Sequence, residues 1–273
     1  MTQLAAPSVT DPEALVVRGL VARYGERTIL DGVDLTVRRG EVRVILGGSG
    51  SGKSTLLKHC IGLLTPTAGD VRVLGEPLHD LEGAERVALL RRIGVLFQSG
   101  ALLGSISVRE NIALPLQEHT DLPDDVISEL VSLKLEVVEL SHAENLLPGE
   151  LSGGMRKRAA LARAMALDPD LMFCDEPSAG LDPLTSAELD ELILRLRDRF
   201  GMTIVVVTHE LMSIARIADR VIMLSAGKAI ADGTLEEVKG SDHPEIHAFF
   251  QRTAAGEMRG AASALDALRG ASR

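Results

Sequence analysis

The octapeptide Gly47-Gly-Ser-Gly-Ser-Gly-Lys53-Ser54 constrains this chain more than any other stretch of it. It fits the pattern G-x-x-x-x-G-K-[ST], between an apolar run, Val42 to Leu46, and a helix-like stretch from Lys53 to Leu64. A strand that ends in such a loop and restarts as a helix builds an anion cradle. Glycines let the backbone curl until successive N–H groups converge on phosphate oxygens. The helix N-terminus adds its dipole, a lysine adds a point charge, and a serine hydroxyl reaches a divalent cation. Gly47, Gly48, Ser49, Gly50, Ser51, Gly52, Lys53, Ser54 and Thr55 are therefore candidates for holding a nucleotide's phosphates.

The rest of the chain supplies the frame for such a loop. Ile93 to Phe97, Leu171 to Cys174, Thr203 to Val207 and Val221 to Leu224 are short apolar runs that alternate with helical patterns. This predicts an α/β fold of the P-loop NTPase kind, with a mostly parallel central sheet whose strands are buried on both faces. Leu15 to Tyr24 and Thr28 to Val37 are strand-like, interrupted by the turn residues Gly25-Glu26 and Asp31-Gly32, and predict an N-terminal antiparallel β piece. Ser107-Val-Arg-Glu110 reads as a capping box and Leu122-Pro-Asp-Asp125 as a helix start. The expected organisation is one domain over 1–252. A sheet lobe takes about 13–106 and 168–252, and a helical lobe is inserted at 107–167. The tail at 253–273, rich in Ala, Gly, Ser and Arg, is either a flexible end or a helix that docks on a partner.

Two further stretches carry chemistry. Leu171-Met-Phe-Cys-Asp175-Glu176 is an apolar strand ending in two carboxylates, and strand C-termini of a parallel sheet face the ligand crevice. Asp175 is expected near the cation held by Ser54, and Glu176 is a candidate base for activating a water. Leu151-Ser-Gly-Gly-Met155 opens a strongly helical stretch, Arg156 to Leu167, so Ser152, Gly153 and Gly154 form a second candidate anion cradle.

Composition narrows the partners. The 273 residues carry a net charge of −10 and only 2% aromatics, which argues against nucleic-acid binding by charge or by base stacking. Two cysteines, Cys60 and Cys174, lie in apolar runs and point to a reduced, cytosolic compartment. The start has no signal-peptide pattern. No run approaches the roughly 18–20 apolar residues of a membrane span.

Taken in order, these motifs resemble the nucleotide-binding subunits of ABC transporters over about Leu15 to Gly233. Gly47 to Thr55 is similar to the Walker A loop, Gln98 to the Q-loop glutamine, and Leu151 to Met155 to the signature motif. Leu171 to Asp175 is similar to Walker B, with Glu176 as the catalytic glutamate. Ser178 to Asp182 resembles the D-loop, His209 the switch histidine, and Tyr24 the ring that stacks on adenine. The resemblance implies a homodimer in which each ATP lies between one copy's Walker loop and the other's Ser152-Gly153-Gly154. It also implies Mg²⁺ held by Ser54, Gln98 and Asp175, a γ-phosphate contact from His209, and alignment of the dimer interface by Asp182. It further implies hydrolysis coupled to a separate integral-membrane permease.

Met155 replaces the usual signature glutamine. With Leu96 to Leu102, Ala113 to Leu116 and Pro244 to Phe250, it resembles the ATPases of mammalian-cell-entry transport systems such as the Mla (maintenance of lipid asymmetry) phospholipid system. That resemblance implies lipid transport, a site on the cytoplasmic face of the inner membrane, and a lipid-binding mammalian-cell-entry domain protein as a further partner. The alternatives are an ATPase subunit for a small solute such as an amino acid, drug or ion, or a non-transport ABC ATPase of repair or translation. About a hundred residues between Gly52 and Leu151, without sustained heptads, and a single Walker loop weigh against the non-transport classes. Ala101-Leu102-Leu103, with Ile112, Leu114 and Leu116, either pack beneath the helical lobe or line a groove for the permease's cytoplasmic helix.

Overall fold

In the computed structural model, which describes residues 12–251, the strand before the glycine loop is the axis of the molecule. This strand, β3 (Val42–Gly47), is buried along its whole length. It pairs in parallel with β8 (Thr203–Val207) on one side and β9 (Arg220–Ser225) on the other. The sheet continues through β7 (Leu171–Asp175) to β6 (Ile93–Leu96), both parallel, and ends beyond β9 in the antiparallel β10 (Lys228–Gly233). A second, antiparallel sheet has the order β2 (Arg27–Arg38), β1 (Glu13–Tyr24), β4 (Ala68–Val73), β5 (Glu76–Pro77).

Alternation along each parallel strand divides the interior into two cores. Val42, Val44 and Leu46 of β3, Met172 and Cys174 of β7, and Ile204 and Val206 of β8 pack with the helices on one side. Ile45, Phe173, Val205 and Val207 pack with the antiparallel sheet on the other. Both cysteines are wholly buried, and burial pushes each thiol up to about 12.

The helices follow the sequence signals, with shifts at their ends. The first, α1 (Lys53–Cys60), stops short of Leu64 because Gly62 turns left-handed at φ +75° and the amides of Gly62 and Leu63 fold back onto the carbonyls of His59 and Lys58. After α2 (Gly83–Leu90) comes α3 (Val108–His119), which begins with the full capping box of Ser107 and Glu110. Next, α4 (Asp124–Val137) starts where Pro123 and the acid pair predict. The fifth helix, α5 (Gly153–Ala164), begins three residues before the expected Arg156 because Ser152 caps it, its Oγ accepting from Met155 N at 3.2 Å. The chain then adds α6 (Pro183–Phe200), α7 (Leu211–Ile217), α8 (Leu235–Lys239) and a final helical turn pair at residues 244–251. The tail at 253–273 lies outside the described residues.

Two sequence expectations change in detail. Asp31-Gly32 does not break the second strand. Gly32, at φ +72°, is a bulge, where the register passes from Leu20 opposite Val33 to Ala22 opposite Leu30. The leucines after Gln98 divide. Ile112 and Leu116 are core, Leu102 and Leu114 are half-buried, and Leu103 is 46% exposed.

One buried acid ties two helices together. Asp190 of α6 is 2% exposed, accepts from Ser213 Oγ of α7, and has Arg216 of α7 at 4.0 Å. Burial raises its carboxyl from 3.8 to about 6, against the lowering pull of Ser213 and Arg216. An acid whose folded-state value is raised costs stability as pH climbs from 3.8 to about 6, and the cost is complete above that window. We predict that Asp190→Asn, which still accepts from Ser213, raises stability near neutral pH by on the order of 3 kcal/mol at most. Thermal melts should show that gain shrinking as pH falls from about 6 to about 4; a gain that does not change with pH would contradict it.

Candidate functional site

A cleft of about 790 Å³ opens at the C-terminal ends of β3, β7 and β8. Gly47, Gly48, Ser49, Gly50, Lys53, Ser54, Gln98, Asp175, Glu176 and His209 line it, drawn from four separate parts of the sequence. Most of the predicted site therefore converges in one hollow.

The loop is held in shape by positions that admit glycine alone. Gly47 has φ +152°, and a Cβ there would collide with the Leu224 carbonyl of the neighbouring strand. Gly52 caps α1 at φ +106°, where a Cβ would meet Leu30 Cδ2 at 2.6 Å, and no side chain blocks the helix's first N–H groups. Those groups and the helix dipole favour an anion. Lys53 Nζ donates to the carbonyls of Gly47 at 2.8 Å and Gly48 at 3.0 Å, folding the loop around its own cation. Burial lowers the ammonium's proton affinity, and the negative charges of Glu176 and Asp175 raise it again.

The acids stand opposite. Asp175 ends β7, and its carboxyl is pushed up chiefly by burial and next by the neighbouring Glu176, while Lys53 and Lys157 pull it down. Glu176 sits at φ +46°, a left-handed backbone that costs a non-glycine residue about 1 kcal/mol. Its amide donates to Val207 O at 2.8 Å, fixing it beside β8. One carboxylate oxygen, Oε1, lies 2.9 Å from His209 Nδ1; the other, Oε2, is buried with no hydrogen-bond partner among the described residues. Ser51 Oγ and Ser178 Oγ are orphaned in the same way. Of these, Glu176 Oε2 lines the cleft beside the basic loop, where a bound cation or water would satisfy it.

The donor set suits a hard cation. Ser54 offers a hydroxyl, Gln98 an amide oxygen and Asp175 a carboxylate, all oxygen ligands. No group of three or more His, Cys, Asp or Glu among the described residues could hold a metal unaided, so such an ion would share the nucleotide's phosphates.

Other predicted residues lie elsewhere. Ser152, Gly153 and Gly154 form the tip of α5, with Ser152 and Gly153 exposed, and none of them lines the cleft. Gly154 is packed so closely that a Cβ would run into Thr185 of α6. Met155 turns inward and packs on the core. Asp182 caps α6, its Oδ1 accepting from Leu184 N at 3.0 Å and Thr185 N at 3.1 Å. Tyr24, 53% exposed at the end of β1, lies outside the cleft lining, as does Thr55 within α1.

Sequence reasoning missed two features. The far wall is built by Met223 to Ser225 and by Glu245, Ala248 and Phe249 of the last helix, where Ser225 Oγ donates to the Glu245 carboxylate. Behind the site, Lys157 of α5 is buried, and its Nζ donates to the carbonyls of Gln98 and Glu176. The signal for Lys157 was its spacing. It falls three residues after Gly154 and four before Leu161, on the buried stripe of α5.

Known proteins give the chain its family. The ABC transporter family pattern matches residues 30–179. The chain is 42% identical over 243 residues to the "Intermembrane phospholipid transport system ATP-binding protein MlaF" of Haemophilus influenzae, covering 89% of this chain and 92% of that one. It is 41% identical over 237 residues to the "Probable ribonucleotide transport ATP-binding protein mkl" of Mycobacterium leprae, covering 87% and 68%. Among solved structures it resembles the dimeric post-hydrolysis state of the ATP-binding cassette MJ0796 bound to ADP and Pi, with a TM-score of 0.74 and 32% identity, covering 81% of this chain and 98% of that one.

Because Gly47 has neither the conformational freedom nor the space to be replaced, Gly47→Ala should destabilise the protein by about 2 kcal/mol or more and abolish ATP binding. Thermal melting and a fluorescent-nucleotide titration read the two effects; a variant as stable and as avid as the wild type would show that the loop is not held in this shape.

Proposed function

The chain belongs to the ABC transporter family, and from that premise we propose that it is the ATP-hydrolysing subunit of a complex that moves phospholipid between bacterial membranes. The observation that carries the ATPase half of this reading is the convergence of Lys53, Asp175, Glu176, Gln98 and His209 on one cleft.

The geometry supports a division of labour. The glycine loop and Lys53 bind the phosphates through N–H groups and charge, and Tyr24 offers an exposed face for the adenine ring. Ser54, Gln98 and Asp175 would hold Mg²⁺, which when bound neutralises phosphate charge. Glu176 is the general base. Its unpaired Oε2 accepts the proton of the attacking water, while the bond from Oε1 to His209 fixes the carboxylate's plane. His209 reaches the γ-phosphate from the same side.

The site is finished by a second copy. Ser152 and Gly153 expose the tip of α5, with Gly154 packed behind them, away from their own cleft, so each cleft is closed by the partner's tip, and Asp182 aligns the two faces. Support comes from the dimeric cassette that the fold resembles. Met155 packs inward, so the lost glutamine removes a polar group from that tip while leaving its backbone donors intact.

No helix among the described residues is long and apolar enough to cross a membrane, so spanning falls to a separate permease. A second cavity, of about 380 Å³, suits a permease's helix. Val87, Leu90, Ile93, Pro115 and Leu167 line it, and Arg163 on its rim donates to the carbonyls of Gly100 and Ala101, just after Gln98. We assign the subunit to the cytoplasmic face of the inner membrane, with a lipid-binding mammalian-cell-entry domain protein as the further partner. The phospholipid cargo rests on the 42% identity to MlaF and on the shared system-level resemblance.

Glu176→Gln should bind ATP within a few-fold of the wild type, lose about 10²–10⁴ in turnover, and accumulate as an ATP-bound dimer on size-exclusion chromatography. Hydrolysis near the wild-type rate would remove Glu176 from the base role. For the cargo, the complex purified with its membrane partners should carry phospholipid detectable by mass spectrometry. A lipid-free complex whose ATPase is stimulated by a nucleotide or other small solute would favour the transport class that the name mkl carries.

A further inference from the structure

Of the six lysines in the chain, Lys157 alone is buried. Burying an ammonium is costly unless its donors are met, and here they are met by backbone. Nζ donates to Gln98 O at 2.7 Å and to Glu176 O at 3.1 Å. These two carbonyls belong to the two loops that carry the cation ligand and the base, 59 and 19 residues away in sequence. Glu176 has the left-handed backbone at φ +46°, a conformation that persists only when its surroundings over-determine it. Its carbonyl is fixed by just two donors among the bonds described, Lys157 Nζ and Ala179 N at 3.2 Å.

The same helix grips the Gln98 loop a second time. Arg163, six residues on, donates to Ala101 O at 2.7 Å and Gly100 O at 3.4 Å. So α5 begins at Ser152-Gly153-Gly154, holds the base's backbone with Lys157, and carries residues 98–101 on two cations. A rotation of this helix moves all three together.

We infer that Lys157 is a positioning residue for ATP hydrolysis: by holding the Glu176 and Gln98 carbonyls on one ammonium, it sets the aim of the Glu176 carboxylate and ties it to the signature helix. The inference rests on Glu176 being the base. It predicts a particular pattern of loss. Lys157 touches neither the phosphates nor the loop that binds them, so its removal weakens the chemical step and spares nucleotide binding.

The test uses the full-length protein with Mg-ATP and measured phosphate release. Lys157→Met keeps an unbranched apolar stem, one atom shorter, and loses both bonds; it should lower kcat at least ten-fold and change KM for ATP less than two-fold. Lys157→Arg, which keeps charge and donors, should recover most of the rate. In a Glu176→Gln background Lys157→Met should cost nothing further, because both changes disable the same group. If Lys157→Met fails to fold by thermal melting, Lys157→Gln, polar but too short to span both carbonyls, takes its place in each comparison. A wild-type kcat in the neutral variant, a rise in KM alone, no recovery with arginine, or a full multiplicative loss in the Glu176→Gln background would each overturn the inference. Undiminished hydrolysis by Glu176→Gln itself would instead refute the base assignment.

Discussion

Everything at the site depends on one mechanical fact: β3 is clamped between β8 and β9 and buried on both faces, so its last residue cannot drift. Gly47 is that residue, and it passes so close to the Leu224 carbonyl that only a bare Cα fits. A loop anchored this firmly at one end, and by the start of α1 at the other, has its N–H groups aimed before any ligand arrives. Preorganisation of this kind is what lets backbone dipoles bind an anion strongly, since little is spent on ordering them at the moment of binding.

The charges around the loop form a balanced set. Lys53 and Lys157 are pushed toward neutrality by burial, and Asp175 toward protonation, yet each lies in the field of the others. Removing one member therefore leaves its opposites buried and uncompensated, which is costlier than the loss of a single pair on the surface. The arrangement also explains how the Glu176 carboxylate, our proposed base, can stay half-bonded. His209 on Oε1 and the Glu176 amide on Val207 O hold it in place, and Oε2 carries no partner among the described residues.

Much of this was legible in the sequence because each chemical motif is contiguous. A loop that must curl needs neighbouring glycines, and an acid at a strand's end needs only the strand. The parallel sheet was legible from apolar runs, and the α3 and α4 starts from their caps. What escaped lies between segments. Lys157 in a helix written Arg-Lys-Arg reads as a solvated charge, and only the fold turns the middle one inward. The stretch Pro244 to Phe250 was legible only as a family resemblance, and nothing in its pattern says that Glu245, Ala248 and Phe249 fold back to wall the cleft. The α1 end slipped because Gly62 looks like a tolerated interior glycine until its left-handed backbone is seen. The leucines after Gln98 could not be sorted, since apolar residues in a loop look alike whether they face a core or a partner.

The burial of both thiols bears on how such a subunit can be watched at work. Cys60 and Cys174 are fully enclosed, and with proton affinities near 12 they hold almost no thiolate at neutral pH, the form that maleimides attack. The native chain thus serves as its own unlabelled background. A single cysteine introduced on an exposed helix would take a dye or spin label selectively, without first stripping two residues from the interior.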